Sequence, residues 1–462
     1  MILSAVIGVS LVSYLQLART SLEVSNRGYY SNAAMNLAEN GLEEVMYALN
    51  QYARDPAYAW TGWSIEGGNA WRQFPTSGSY ELDRNATGFL RVYVDGYLNP
   101  SPVVTARATV TLAGTRTPPV EKWVEVRLSR TSKFANGLVA SQSIQFKGSK
   151  STVDSWDSDP DRNPATAAVP YSAGVRRAAA TVGSGSVGVD AILVNNADIW
   201  GYASTGGAPP KVGSQGLVGP FGTTVGTMNP NHISNDFVAN LEPVTDLPPT
   251  GTILAAISAN TELPRAGDQP VMVNGVPAYC YTANQISLSS AHLRIRPLTT
   301  DGPPPNVVIT LTNPTTCVTI SGNSGIIINS GASLQLYAPG DVKIAGNGTM
   351  NGGNTTGSAN QPIAFQLWGT RPNSSVPQSI DVVGNGVLSG VVYAPNAEVA
   401  IKGNGDILGA VVARNITLVG NADFHYDESL ANFGPREPYR VNLWLELSTA
   451  EERAARAKSL SF

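Results

Sequence analysis

The chain is 462 residues long and 42% hydrophobic but only 14% charged, against roughly 25% in an ordinary soluble domain. It can bury a sizeable core, which excludes global disorder, and its 46 glycines and 31 prolines favour strands and turns over helices. A net charge of −4 argues against a nucleic-acid groove, which needs a basic face, and a total of two cysteines excludes a cysteine-rich zinc centre.

Residues 1–53 read as one helix. No charged side chain precedes Arg19, and the apolar run is carried by Ile2, Leu3, Val6, Ile7, Val9, Leu11, Val12, Leu15 and Leu17. Its length is at the lower limit for a membrane-spanning helix, roughly 17–25 residues. A membrane or filament segment is therefore expected, leading into an amphipathic remainder. Met35, Ala38, Leu42, Val45, Met46 and Leu49 recur at three- and four-residue steps and make one apolar face, with Leu37 outside it. An ordinary membrane anchor with a stalk has the same outline.

Residues 54–135 read as a small antiparallel sheet. Tyr58, Trp60, Trp63, Trp71 and Phe74 form an aromatic stretch, better explained as packing between helix and sheet than as a carbohydrate platform. Residues 88–97, 103–112 and 120–128 alternate with period two and are predicted strands.

The second half repeats. Gly-Asn pairs end at Asn323, Asn347, Asn385, Asn404 and Asn421, the last two intervals being 19 and 17 residues and the one before twice 19. Asn196 heads a similar turn upstream. Turn residues recurring between short alternating strands mark a parallel β-solenoid, or β-helix. Nine charged residues in the 110 from Cys317 to Tyr426 suit stacked turns, where like charges would face one another at roughly 4.8 Å. The predicted fold is mainly β: the long N-terminal helix and small antiparallel sheet, then a solenoid in two parts, 136–206 and 317–435. A Pro-rich excursion, 207–316, separates those parts. Cys280 lies within the excursion and Cys317 at its return, and they could form a disulfide or remain two buried thiols. Residues 436–462 are predicted as a strand and a short helix with a capping box from Ser448 and Glu451.

Candidate chemistry is sparse. Asp154, Asp157, Asp159 and Asp161 have the oxygen-rich spacing of a calcium loop but lack the glycine and distal glutamate of an EF-hand, so solvated turn acids are the stronger reading. Asp198, Asp406 and Asp423 each follow a repeat Asn by two residues, and Asp406 and Asp423 are expected on neighbouring coils. Paired carboxylates can hydrolyse glycosides; with no aromatic or basic company legible, exposed turn acids are preferred. His425 is expected to cap the last coil, with pairing to Asp427 or metal ligation as alternatives.

The segment Ala38-Glu39-Asn40-Gly41-Leu42, followed by Glu43 and Glu44 behind an apolar run, resembles the N-terminal helix of type IV pilins and pseudopilins, in particular PilX-type minor pilins. Tyr393-Ala394-Pro395-Asn396, the Gly-Asn turns and the closing His425-Tyr426-Asp427-Glu428 resemble an uncharacterised repeat domain that accompanies that helix in bacterial surface proteins. No basic leader precedes the run and the first acid is Glu23, so Met1 is read as an internal methionine with the true start upstream. The resemblance implies a non-enzymatic minor pilin or pilus-associated surface protein, structural or adhesive. Its partners would be other pilin subunits or the assembly machinery, the membrane before assembly, and a surface glycan or host ligand. A membrane-anchored carbohydrate-active β-helix enzyme is the alternative.

Overall fold

The computed structural model describes residues 2–462 except 55–57, 114–117, 149, 164–165, 240, 300–301, 347, 353–359, 374–375, 385–386 and 433–435; the side chains of residues 2–6, 54 and 384 are also outside the description. The chain is mainly β with an N-terminal helix, and it divides into two compact units, residues 1–131 with 436–462, and residues 132–435.

In the first unit the helix Ile2–Arg54 runs unbroken through 53 residues. Its last part buries Tyr30, Ala34, Leu37, Ala38, Val45, Ala48 and Leu49, with Met35, Leu42 and Met46 packed at the margin. Leu37, outside the predicted stripe, is 8% exposed, because the sheet covers a wider arc of the helix than one three-four stripe provides. Gly41 makes the close approach: a β-carbon there would stand 2.5 Å from Leu90 Cδ1 and 2.7 Å from Val92 Cγ2.

The sheet facing the helix is antiparallel, in the order Ser64–Glu66, Asn69–Phe74, Ala86–Asp95, Val103–Leu112, Val120–Ser129 and Arg440–Glu446. Period-two alternation turns Leu90, Val92 and Val94 inward on one strand and Val104, Ala106, Ala108 and Val110 on the next. Trp60 is buried at the centre of Tyr52, Tyr58, Trp63 and Tyr97, with ring centroids 5.0–6.1 Å apart, so this aromatic stretch is packing. The C-terminal segment belongs to this sheet, and its capping box sits one residue later than predicted: Thr449 Oγ1 accepts from Glu452 N at 3.2 Å and Glu452 Oε2 from Thr449 N at 2.9 Å.

The second unit is built on parallel pairing. Val276–Ala283, Asn306–Leu311, Ser333–Ala338, Phe365–Gly369 and Val387–Gly403 lie side by side in one track. Ile286–Leu288, Thr316–Ile320, Asp341–Ile344 and Gln378–Gly384 make a second track, and His292–Ile295, Gly325–Asn329 and Thr349–Gly352 a third. Each strand therefore pairs with one from the next turn of chain, and the inward residues, such as Ile309, Leu334, Ile344 and Leu388, share one core. Ile407 pairs with Leu388, 19 residues earlier, and Phe424 with Ile407, 17 earlier, matching the Gly-Asn intervals. The turns at Asn196, Asn404 and Asn421 lie at these corners; Asn347 and Asn385 fall outside the described residues.

Strands also occupy the predicted excursion, among them Leu217–Gly219, Thr261–Leu263, Val276–Ala283 and Asn306–Leu311, all paired in parallel. Near residues 241–251 the chain instead runs without strand pairing, with Leu241 and Val244 against the core and the Glu242 carbonyl accepting from the Tyr393 hydroxyl. The order of stacking is not the order of sequence. Leu138–Phe146 and Thr152–Trp156 lie beside Asp406–Gly420 and Asp423–Asp427, and with Ala180–Ser184 and Asp198–Thr205 these pairings close a six-strand parallel barrel.

Cys280 and Cys317 are buried free thiols, not a disulfide. They belong to different tracks: Cys280 pairs with Val308, whereas Cys317 sits at a register shift and donates its thiol to the Gly340 carbonyl at 3.1 Å. Among the described residues no helix is long and apolar enough to cross a membrane. The predicted segment includes Ile2, Leu3 and Val6, whose side chains lie outside the description.

Candidate functional site

Of the predicted site residues, Asp154, Asp198, Asp406, Asp423 and His425 gather where Thr152–Trp156 lies between Asp423–Asp427 and Asp198–Thr205. Parallel register places Asp406 beside Asp423, and Thr152 beside Asp198. Two carboxylates are tied into the stack: Asp406 Oδ1 accepts from Asp423 N at 3.3 Å, and Asp423 Oδ1 from Thr152 N at 2.6 Å. Burial raises the Asp406 carboxyl above the usual carboxylate range, and the neighbouring Asp423 charge adds to it. Burial also raises Asp198, against the opposing pull of Lys150 and Arg176.

One strand position further along, His425 pairs in register with Asp154. His425 Nδ1 donates to Asp154 Oδ1 at 2.6 Å, with the carboxylate fully buried. Asp427, the alternative partner considered for His425, accepts instead from the backbone and hydroxyls of Ser158 and Ser429. A segment that sequence reading left without a role closes over the pair. The Tyr171 ring stacks on His425 at 3.8 Å and its hydroxyl donates to Asp154 Oδ2 at 2.8 Å, so that burial and this bond hold the phenol well above its ordinary pKa. Arg176 Nε lies 3.7 Å from Asp154 Oδ2 while its guanidinium sits 4.9 Å from the Phe221 ring centroid.

The four acids of the predicted calcium loop are divided among separate tasks. Asp154 serves His425 and Tyr171, Asp157 pairs with Arg177 at 3.3 Å, and Asp159 and Asp161 both accept from Asn163 N at 3.1 Å. Among the described residues no three acidic, histidine or cysteine groups converge to hold a metal ion; the sequence spacing is used for turn hydrogen bonds.

The acids also have aromatic company that the sequence reading did not find. Alternation along Asp198–Thr205 buries Ile199 and Ala203 and turns Asp198, Trp200 and Tyr202 outward. Phe221 lies 5.3 Å from Trp200, and His232 stacks on Tyr202 at 4.3 Å, with its Nδ1 donating to the Gly201 carbonyl at 2.8 Å. The alternating D-I-W-G-Y-A-S-T was the available signal for Asp198, Trp200 and Tyr202; nothing local announces that Phe221, His232 and Arg176 return to the same place. The arrangement offers carboxylates, a guanidinium and exposed rings, and it lies apart from the groove lined by Ser333, Gln335 and Gln366.

Residues 281–433 match the model of a domain of unknown function, DUF7305. No curated protein matches the chain. Among solved structures, the competence-associated pilin ComZ from Thermus thermophilus is similar at 11% identity, over 90% of this chain and 97% of that chain, with a TM-score of 0.21, and a likeness at that score carries no argument about this chain.

Proposed function

We propose that the chain is a pilus-associated surface subunit of the minor-pilin kind, whose first unit is the assembly module and whose second unit is a β-solenoid displayed outside the cell. One observation carries this reading. The C-terminal part of the long helix is held by the sheet, whereas Ile7, Val9, Leu11, Val12, Leu15, Leu17, Leu22 and Val24 stand 55–69% exposed on the part before Tyr30. Burying one such side chain is worth about 1.5–3 kcal/mol, so the bare helix is strongly driven to acquire an apolar partner. Helices of neighbouring subunits supply it in a filament core, and the membrane interface supplies it before assembly. The outward acids Asp406 and Asp423 serve the stack through backbone hydrogen bonds, so this function needs no catalytic residue.

Leu11→Asp and Leu15→Asp put a charge on the helix without touching the folded unit. The expected result is normal cellular abundance with loss of immunogold label on sheared filaments. Filaments labelled as densely as in the parent strain, or label absent from filaments of the parent itself, would overturn the assignment. Glycan turnover abolished by Asp406→Asn would replace it with the enzyme reading.

A further inference from the structure

We infer that the outward strip formed by Asp198, Trp200, Tyr202 and Phe221 is a binding site for a neutral hexose polysaccharide. The inference concerns the 132–435 unit alone and is independent of the filament assignment.

The rings are the first observation. Among the described residues of this unit, Tyr202 and Phe221 are the aromatic side chains more than a third exposed, at 42% and 46%. Both belong to one strip: Tyr202 shares its strand face with Trp200, and Phe221 packs on Trp200. An exposed ring in water is costly and a pair on one face is a surface waiting for an apolar plane. The strip is fixed in place, since His232 stacks on one face of Tyr202 and is itself tied to Gly201, and Arg176 lies over one face of Phe221, leaving one face of each ring for a ligand. Such preorganisation lowers the entropy lost on binding.

The polar groups are the second. Asp198 is two residues from Trp200 on the same face, and alternate side chains on a strand are roughly 6.6 Å apart, about one sugar ring. A pyranose presents an apolar C–H plane, which suits a ring face, and an edge of hydroxyls, which suits a carboxylate acceptor beside guanidinium and ammonium donors. Asp198, Arg176 and Lys150 provide that set; the two cations act on Asp198. A backbone-recognising peptide would need a free strand edge, whereas this strand is paired on both sides, with Thr152–Trp156 and Leu217–Gly219.

Charge and shape narrow the ligand. Asp406 and Asp423 stand along the same side, next to Asp198 through Thr152, and this negative margin disfavours uronic, sulfated or phosphorylated polymers. Trp200 and Tyr202 recur along one strand face with Phe221 beside them, so an extended chain can touch several rings at once. A neutral hexose polymer meets all three conditions.

The test uses the full-length chain in a sugar-free detergent, titrated calorimetrically with maltohexaose, cellohexaose and chitohexaose, with polygalacturonate as the charged comparison. At least one neutral hexaose is expected to bind. Tyr202→Ala and Phe221→Ala, both at exposed positions that leave the core intact, are each expected to weaken that binding roughly tenfold, the scale of one stacking ring. Binding by none of the three neutral hexaoses, unchanged affinity in both variants, or equal affinity for polygalacturonate would each overturn the inference. A chain that binds sugar but never enters filaments would leave this site standing and remove the pilus assignment.

Discussion

His425 Nδ1 lies 2.6 Å from Asp154 Oδ1 across 271 residues of sequence. The contact joins the second strand of the parallel stack, Thr152–Trp156, to the last, Asp423–Asp427. Tyr171 donates to the same carboxylate and Arg176 stands 3.7 Å from it, so Asp154 holds two donors and a guanidinium at the junction.

Asp154→Ala leaves those donors facing a void. A hydrogen bond to a charged group is worth about 1.5–3 kcal/mol, and the 132–435 unit should lose at least one such contribution, read as a lower denaturant midpoint in limited proteolysis. His425→Ala should cost less, because Tyr171 and Arg176 still satisfy Asp154. The double variant should be less destabilised than the sum of the two, since both remove one interaction.

Gly41 and Gly28 make a matched pair in one helix. Alanine is worth about 1 kcal/mol more than glycine in a helix interior, and nothing stands within 4 Å of a β-carbon at Gly28. Gly28→Ala should therefore stabilise slightly or leave the helix unchanged. Gly41→Ala should destabilise the first unit by a net cost on the order of 1–2 kcal/mol, as overpacking against Leu90 and Val92 exceeds the propensity gain. Thermal unfolding followed at 222 nm separates the two outcomes.

Asp406 gives a pH dependence of defined sign. Burial, then the charge of Asp423, raises its folded pKa above the unfolded value of about 3.9. The native state holds the proton more tightly, so this group's contribution is full below the unfolded value and is lost as pH rises through the folded one. Asp406→Asn keeps the acceptor for Asp423 N and removes the titration. Its advantage in melting temperature over the parent should grow between pH 4 and neutrality; parallel curves would contradict the sign.

The thiols should be inert in the folded chain. Burial pushes Cys317 up to about 11 and raises Cys280 as well, so little thiolate exists at pH 8 and neither sulfur is accessible. Ellman's reagent should titrate almost nothing in native protein and two thiols per chain in denaturant. A single Cys280→Ala substitution should leave non-reducing mobility unchanged.

Much of this molecule was legible because it depends on local periodicity. The strands at 88–97, 103–112 and 120–128 and the Gly-Asn spacing of the last turns follow from alternation and turn chemistry, and they appear within a few residues of where those patterns place them. What failed was order in space. Residues 207–316 looked like an interruption because proline clusters there, yet much of that stretch forms paired strands whose turns are too variable in length to show a period. The partner of His425 was out of reach for the same reason: Asp427 is near in sequence, Asp154 only in the stack. Within the site, Asp198, Trp200 and Tyr202 share a strand and could have been grouped by parity, whereas Phe221, His232 and Arg176 arrive from turns whose return no spacing encodes.

The Thr131 carbonyl accepts from Glu437 N at 2.8 Å, and the strand Arg440–Glu446 then pairs with Val120–Ser129. The points where the chain leaves the first unit and re-enters it are thus adjacent in a single sheet. For the host fold, the three hundred or so residues between them are the equivalent of a hairpin loop. Such a junction lets the inserted unit be lengthened, shortened or replaced without redesigning the helix and sheet that carry it. It also makes the host sheet a record of completed synthesis, since Arg440–Glu446 emerges from the ribosome only after the whole inserted unit.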